Sequence, residues 1–308
     1  MKELSITTAG KWILTGEHTV LRGGSALVFP FEGKKFNLNY FPIKEKTNSD
    51  TIRDLEIRAE FLGTTGPDYQ ILFYGLLDRC LELLQIDRSE FYGRYLIQSD
   101  LPLGGGLGAS AALCVAVVQL LHQWGHVQKS QMYEMSRKLE NLFHGESSGV
   151  DVAVALDQQP LYFNRSGIRE PFQLKWKPKL FLSYSGEKGF TQACVEKVKS
   201  WINDNPELAP LIDAKMKQSV ERSFSALTKD RSADSLNELR IAIDEAESSF
   251  RTWGLIPPVM QKEMDFLKSY GALAVKPTGS GGGGYILSLW SEAPPEQLLQ
   301  NKLINCFM

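Results

Sequence analysis

The stretch Pro102-Leu-Gly-Gly-Gly-Leu-Gly-Ala-Ser-Ala-Ala112 places four glycines within five positions. It lies between a strand-like run at 95–98 and an apolar, helix-like run at 111–124. The start of a helix points unpaired N–H groups outward, and glycines let a bulky anion approach those groups closely. Ser110 adds a hydroxyl on the first helical turn, where a phosphate-bound Mg²⁺ could take it as a ligand. The stretch therefore predicts a phosphate-binding loop that leads into a helix.

The same glycines also fit the loose dinucleotide-binding pattern, as Gly104-x-Gly106-x-x-Ala109. That interpretation requires a second parallel strand after the helix, ending in an acidic residue about 20 positions on. Here a second helical segment, 131–143, follows the first with no strand between them. The chain also contains no Gly-x4-Gly-Lys-Ser/Thr motif, so the usual P-loop is absent. Both alternatives are therefore disfavoured.

Composition sets the broad class. The chain has 308 residues, 43% of them hydrophobic and 23% charged, which is ordinary for a soluble globular protein with about two domains. A net charge of −2 without a basic block argues against nucleic acid or an anionic membrane as a partner. The longest apolar run is too short to span a membrane, no signal-peptide core is visible, and the four cysteines are isolated. We therefore expect a cytoplasmic protein.

Strands and helices are segregated along the chain, which favours an α+β fold over a doubly wound sheet. Strand-like patterns occur at 11–15, 26–29, 36–41, 55–62, 95–98, 160–163, 179–184, 272–275 and 285–289. Helical patterns occur at 68–85, 111–124, 131–143, 190–203, 207–228, 232–250 and 257–270. A polar stretch at 164–170 indicates a boundary, and we predict one domain at 1–168 and a second at 169–308.

A second glycine cluster, Lys276-Pro-Thr-Gly-Ser-Gly-Gly-Gly-Gly-Tyr285, lies near the end of the chain. Strands are predicted on both sides of it, so the dinucleotide-binding pattern does not apply here either. Taken alone, the cluster fits a flexible hairpin loop. Four consecutive glycines are entropically costly to order, however, and they favour a place where the backbone passes close to phosphates or to a substrate. We predict that Gly281 contacts the substrate.

Two further segments carry charged residues in unusual places. In Glu140-Asn-Leu-Phe-His-Gly-Glu-Ser-Ser-Gly-Val-Asp151, the terminal acid leads into an apolar run and needs a buried partner such as a lysine. In Gly10-Lys-Trp-Ile-Leu-Thr-Gly-Glu-His-Thr-Val-Leu-Arg-Gly23, Lys11 begins a strand that is otherwise apolar, and Glu17 and His18 lie in the following turn. Taken singly, these residues also fit a solvated helix face, a charged strand end and a hairpin turn.

Together the four segments resemble the signature regions of the GHMP kinase superfamily, in their order and approximate separation, over nearly the whole chain. Within it they are most similar to the mevalonate kinases. The motif Gly-Lys-x-Ile-Leu-x-Gly-Glu-His-x-Val-x-x-Gly is matched at 10–23, and His-Gly-x-x-Ser-Gly-Val-Asp at 144–151. The resemblance implies an N-terminal domain like ribosomal protein S5 domain 2, a ferredoxin-like C-terminal domain and an active site in the cleft between them.

The resemblance also implies roles for individual residues. Lys11 and Asp151 match the active-site lysine and the catalytic base, and Ser110 and Glu140 match the Mg²⁺ ligands. The loop around the ATP phosphates corresponds to Gly104, Gly105, Gly106, Leu107, Gly108, Ala109 and Ser110, with Ser99 as a further nucleotide contact. The mevalonate pocket corresponds to Glu17, His18 and Ser148. Two positions depart from the family pattern: Ala9 replaces a proline, and Ala109 replaces the first serine of Gly-Leu-Gly-Ser-Ser.

The implied function is transfer of a phosphoryl group from ATP to the 5-hydroxyl of mevalonate in isoprenoid precursor biosynthesis, with Mg²⁺ as cofactor. ATP and a small alcohol are the implied partners, and a homodimer is compatible with the resemblance. Another GHMP kinase, acting on phosphomevalonate or a sugar, is the nearest alternative. A non-catalytic nucleotide-binding member is a second alternative, but it predicts loss of Lys11, Asp151, Ser110 or Glu140, and all four are present.

Overall fold

The computed structural model describes residues 2–42, 57–62, 66–144 and 147–307. Within these ranges the strands are β1 Leu4–Thr15, β2 Ser25–Phe41, β3 Ile57–Leu62, β4 Gly93–Ser99, β5 Leu161–Asn164, β6 Arg169–Pro171, β7 Lys179–Tyr184, β8 Ala274–Pro277, β9 Tyr285–Trp290 and β10 Ile304–Asn305. The helices are α1 Gly66–Leu84, α2 Ala109–Gln123, α3 Met132–His144, α4 Val150–Asp157, α5 Thr191–Asp204, α6 Ala209–Thr228, α7 Ala233–Thr252, α8 Pro258–Ser269 and α9 Glu296–Asn301. The mixed content confirms the predicted α+β class.

The first sheet is built around the long strand β2. Strand β1 pairs antiparallel with it along most of its length, from Leu4 opposite Tyr40 to Thr15 opposite Leu27. Strands β4 and β5 pair with the two ends of β2, and β3 pairs parallel with β4. The buried residues of β4 alternate with more exposed ones, as expected for a strand with one face on a core. Helices α2 and α4 pack on this sheet and carry the predicted site residues to it.

The second sheet is antiparallel, with the order β10-β7-β9-β8. All six residues of β9 are buried, including Tyr285 and Trp290. One hydrophobic core connects the two sheets: Trp12 and Phe29 of the first belong to the same cluster of buried side chains as Leu182 and Leu287 of the second. The two parts of the chain therefore share a core and pack directly against each other.

Most predicted elements are present, with shifted ends. The segments predicted at 26–29 and 36–41 are parts of the single strand β2, and the first strand begins at Leu4, earlier than predicted. Helix α4, the short strands β6 and β10, and helix α9 were not predicted. The short apolar run in α4 fits a buried strand as well as a helix, so periodicity could not assign it. Residues 55 and 56 of a predicted strand lie outside the described residues.

The domain division at 168/169 stays a prediction. Strand β6 pairs antiparallel with β5, with Phe163 opposite Arg169, so it belongs to the first sheet. The first strand of the second sheet begins at Lys179. We therefore propose that the division falls between Pro171 and Lys179. None of the helices in the described part of the chain is both long and apolar enough to cross a bilayer.

Candidate active site

The predicted phosphate-binding loop connects β4 to α2, as the sequence indicated. Gly108 is the N-cap of α2 and has φ +72°, a conformation that favours glycine. A Cβ atom at this position would lie 2.8 Å from Cγ of Lys11. Glycine is therefore required here both by the backbone and by the close approach of Lys11. Ser110 is half-buried on the first turn of the helix.

Lys11 and Asp151 form an ion pair beside this loop. The Lys11 Nζ lies 3.2 Å from Asp151 Oδ1, and it also donates a hydrogen bond of 2.9 Å to the carbonyl of Gly106. The backbone N–H of Lys11 donates to the carbonyl of Leu107 at 2.9 Å. The lysine is almost fully buried, whereas the Asp151 side chain is 23% exposed. Lys11 of β1 and Asp151, at the start of the apolar helix α4, are therefore partners, and Lys11 joins them to the glycine loop.

Glu140, on α3, is a buried carboxylate near this pair. The Ser147 hydroxyl donates a hydrogen bond to Glu140 Oε2 and accepts one of 3.0 Å from the N–H of Gly149. Burial raises the pKa of Glu140 to about 8; the Asp151 carboxylate adds to the rise, while Ser147 and Lys11 oppose it. A buried carboxylate beside a second carboxylate is an environment that a cation stabilises. Carboxylate and hydroxyl oxygens are the ligands that Mg²⁺ prefers, but the pairing of Glu140 with Ser110 as Mg²⁺ ligands stays a prediction.

The two glycine clusters lie against each other. A Cβ atom on Gly279 would lie 3.2 Å from the carbonyl oxygen of Gly106, and one on Gly284 would lie 2.9 Å from that of Gly105. Gly279 and Gly284 therefore lie where the backbone of the second cluster packs on the backbone of the first loop. This agrees with the expectation of a close approach, although the direct neighbour is the first loop itself.

A second buried ion pair joins the two sheets. The Nζ of Lys276, on β8, lies 2.5 Å from Oε1 of Glu17, and both side chains are nearly inaccessible. Burial raises the pKa of Glu17 and lowers that of Lys276, while the charge of each partner opposes the shift. Two residues on, the Thr278 hydroxyl accepts a hydrogen bond of 3.0 Å from the N–H of Ile13 and donates one of 2.9 Å to its carbonyl. β1 and β8 are thereby held together at the site.

His18 is buried in the turn after β1 and has φ +60°, an uncommon conformation for a residue other than glycine. Its Nε2 lies 2.8 Å from the carbonyl oxygen of Ser280. Because a carbonyl can only accept, Nε2 carries the proton and Nδ1 is left as an acceptor. Burial lowers the pKa of His18 to about 4, so the ring is neutral near pH 7. The rings of Phe250 and Trp253 pack edge-on against it.

These residues surround a cavity of about 100 Å³. Its lining contains nine polar or charged side chains, two glycines and five apolar side chains, namely Lys11, Glu17, His18, Glu140, Ser147, Ser148, Asp151, Thr191 and Ser280, then Gly106 and Gly279, then Ile13, Val20, Leu21, Val150 and Val195. Residues from five separate segments of the chain, 11–21, 106, 140–151, 191–195 and 279–280, are thus brought to one place. The cavity is partly open, and its walls come from β1, from helices α3, α4 and α5 and from the loops that contain the two glycine clusters.

Two predicted contacts fall outside the cavity. The Ser99 hydroxyl donates to Tyr69 Oη at 3.0 Å and accepts from the N–H of Leu101 at 3.1 Å. These bonds fix the entrance to the glycine loop, and a nucleotide contact by Ser99 stays a prediction. Gly281 does not line the cavity: a Cβ there would lie 3.0 Å from the side chains of Leu255 and Phe250. The structure therefore does not place Gly281 at the cavity, and its predicted contact with the substrate stays a prediction.

Sequence reasoning missed Lys276 and Ser147. Lys276 follows the apolar run 272–275, and a lysine at the end of a buried strand needs an opposite charge for the same reason that Asp151 does. Ser147 belongs to the turn before Asp151, and its role in holding Glu140 becomes visible only once the turn folds back on α3. The sequence therefore contained a signal for Lys276 but none for Ser147.

The fold and the site together define the class of protein. The family model for the GHMP kinases N terminal domain matches residues 73–159. The mevalonate kinase of Archaeoglobus fulgidus is 32% identical over 293 residues, covering 93% of this chain and 92% of the relative. The chain belongs to the GHMP kinase family, and the mevalonate kinases of Archaeoglobus fulgidus and Pyrococcus horikoshii are among its relatives.

Solved structures agree at the level of the fold. The mevalonate kinase of Methanococcus jannaschii matches with a TM-score of 0.75 and 18% identity, covering 99% of this chain and 98% of that one. The L. major mevalonate kinase in complex with R-mevalonate matches with a TM-score of 0.74 and 20% identity, covering 94% and 88%. These likenesses support the two-part architecture expected from the sequence.

Proposed function

We propose that this chain is an ATP-dependent kinase that phosphorylates the 5-hydroxyl of mevalonate. The observation that carries the proposal is the Lys11–Asp151 pair, which lies between the glycine loop and the acceptor cavity. A group that accepts a proton and a group that holds phosphates are thereby placed side by side. The naming of the relatives as mevalonate kinases supports the choice of acceptor.

Phosphoryl transfer requires little covalent chemistry from the protein, and catalysis depends on positioning and charge stabilisation. The N-terminus of α2 would face the phosphates with its free N–H groups. Mg²⁺ would be held by Ser110 and Glu140, and when bound it would neutralise charge on the phosphate oxygens. The assignment of these two ligands rests on their oxygen chemistry and on the burial of Glu140.

Asp151 would accept the proton of the attacking hydroxyl. Its carboxylate is partly exposed to the cavity, so an acceptor can reach it, and Lys11 holds it in place from the other side. The positive charge of Lys11 would stabilise the alkoxide that develops on the acceptor as its proton leaves. Because Lys11 is also bonded to Gly106, the base has a fixed position relative to the phosphate loop.

The cavity fits a small acceptor that carries a single negative charge. Its apolar part, which includes Val20 and Val150, suits a short carbon chain, and its polar part offers hydroxyl and imidazole groups. The first residue of α5, Thr191, lies at its wall, so a helix N-terminus can face the carboxylate of mevalonate. Lys11 is the only lysine or arginine among the described residues that line it, and this lysine is engaged by Asp151. A phosphorylated acceptor would lack a counter-ion, which disfavours phosphomevalonate.

The test is ADP release with mevalonate, phosphomevalonate, galactose and homoserine as acceptors, each at several concentrations. We expect turnover with mevalonate that exceeds turnover with the other three by at least about 100-fold, because a buried site rejects an acceptor that leaves its polar groups unpaired. The Asp151→Asn variant is the control for contaminating kinases. A preference for phosphomevalonate or a sugar would refute the proposed acceptor, and ATP binding without turnover of any acceptor would refute the proposed activity.

A further inference from the structure

The loop between β7 and α5, residues 185–190, is anchored on the second glycine cluster. The N–H of Ser185 donates to the carbonyl of Gly284 at 2.9 Å, and the N–H of Gly284 donates to the carbonyl of Glu187 at 2.7 Å. A Cβ on Gly189 would lie 2.7 Å from the carbonyl oxygen of Gly281. The loop is therefore held by backbone contacts with the second glycine cluster, and these contacts do not depend on a flexible side chain.

This anchoring places Lys188 over the phosphate-binding loop. A Cβ on Gly104 would lie 3.6 Å from Cδ of Lys188 and 4.0 Å from its Cβ, so the aliphatic part of the lysine covers the start of the loop. The side chain is exposed, and its ammonium group forms no hydrogen bond or ion pair with any residue that the structure describes. A cation is thus held near the phosphate-binding loop and has no protein partner there.

The charge balance of the nucleotide site calls for such a cation. Lys11 is already paired with Asp151 and bonded to Gly106, and it lies in the acceptor cavity. The remaining groups of the loop are backbone N–H groups and the Ser110 hydroxyl, which carry no full charge. The triphosphate of ATP carries several negative charges, and an ammonium group acts on phosphate as a point charge without a strict geometry.

We propose that Lys188 is a nucleotide-binding residue, whose ammonium pairs with the terminal phosphates of the ATP that the 104–108 loop holds. This inference rests on the proposed function, because it requires ATP at that loop. Lys188 belongs to the loop after β7 of the second sheet, whereas the phosphate loop joins β4 of the first sheet to α2. Bound ATP would therefore be held from both parts of the chain.

The experiment compares Lys188→Met with wild type, with Lys188→Arg as the conservative variant and Lys138→Met as the matched control. Lys138 is an exposed lysine on α3 that lies beside Leu83 and Leu84, outside the acceptor cavity. Calorimetry gives the Kd of ATP, ADP and AMP, and steady-state kinetics give KM for MgATP and for mevalonate. Because Lys188 is exposed, none of these substitutions removes a core side chain.

In Lys188→Met we expect the Kd and KM for ATP to rise about 10-fold, consistent with one charge-assisted contact. The Kd of AMP and the KM for mevalonate should change less than 2-fold, because AMP lacks the β- and γ-phosphates and mevalonate carries no phosphate. Lys188→Arg should stay within about 3-fold of wild type for ATP, since it keeps the charge, and Lys138→Met should match wild type.

An unchanged Kd for ATP in Lys188→Met would overturn the inference. An equal loss for ATP and AMP would also overturn it, since the contact would then not be to the terminal phosphates. A rise in the KM for mevalonate alone would move Lys188 to the acceptor side and refute it as well. If wild type shows no mevalonate-dependent ADP release, the proposed function fails, while the comparison of ATP and AMP affinities still decides the role of Lys188.

Discussion

Removing the charge of Lys276 should destabilise the fold strongly, because it would leave the Glu17 carboxylate buried without a counter-ion. The two charged atoms are 2.5 Å apart and both side chains are almost inaccessible. At an effective dielectric constant of about 20, charges at that separation attract by roughly 7 kcal/mol. Desolvation of the two ions costs several kcal/mol each, so the intact pair contributes little net stability. The loss of one partner is different, since the attraction disappears while the desolvation cost of the remaining ion stays uncompensated, and typical costs are about 3–5 kcal/mol.

We therefore expect Lys276→Met to lower the free energy of unfolding by about 3–5 kcal/mol, and Glu17→Gln to have a cost of the same order. The double variant Glu17→Gln/Lys276→Met should lose less than the sum of the single losses, by up to about 3 kcal/mol, because neither charge is then left alone. Equilibrium unfolding in urea at pH 7, followed by tryptophan fluorescence, measures all four proteins. Lys179→Met is the control: Lys179 pairs with Glu292 at a similar distance of 2.6 Å, but on the surface.

The control variant should unfold at nearly the wild-type urea concentration, because exposed pairs are screened by water and salt. Additive single losses in the double variant would refute the argument, since they would show that the two side chains do not interact energetically. A loss below about 1 kcal/mol in Lys276→Met would refute it too, because a buried uncompensated carboxylate cannot be that inexpensive.

Three further outcomes test the site. Asp151→Asn should lower turnover by about 10²- to 10⁴-fold with little change in ATP affinity, and near-wild-type turnover would exclude Asp151 as the base. Glu140→Gln should shift the activation by Mg²⁺ to higher concentrations, so an unchanged Mg²⁺ titration would remove Glu140 from the ligand set. The pKa of His18 is lowered from 6.5 to about 4, so the unfolded chain binds a proton on this ring more readily than the folded chain does. The free energy of unfolding of the wild type should therefore fall by roughly 3 kcal/mol as the pH is lowered from 6.5 to 4. His18→Asn, in which asparagine tolerates the positive φ, should not show this pH-dependent loss of stability. If the free energy of unfolding measured in urea falls equally with pH in both proteins, the lowered pKa of His18 is contradicted.

Local sequence patterns predicted the elements of the fold well where those elements are long. Helices α6, α7 and α8 have clear apolar stripes and are found within two residues of their predicted ends. The missed elements α4, α9, β6 and β10 are two to eight residues long, and such short segments carry too little periodicity. Helix α4 is the important case, since it presents Asp151 on its first turn. Its start is set by Gly149 at φ +82°, a conformation that the sequence Ser-Ser-Gly permits but does not specify.

The site itself could be predicted only in part, for a physical reason. The sequence contains two lysines and two acids at the edges of apolar runs, and a buried charge of either sign requires an opposite charge. That rule says that Lys11, Glu17, Asp151 and Lys276 need partners, but it does not say which lysine pairs with which acid. The choice is made by the packing of β8 against β1 through Thr278, a contact between residues 265 positions apart. Once that contact is formed, Lys276 is opposite Glu17, and Lys11 is left for Asp151 beside the glycine loop. The pair that holds the two sheets together therefore also determines which lysine is available to the base.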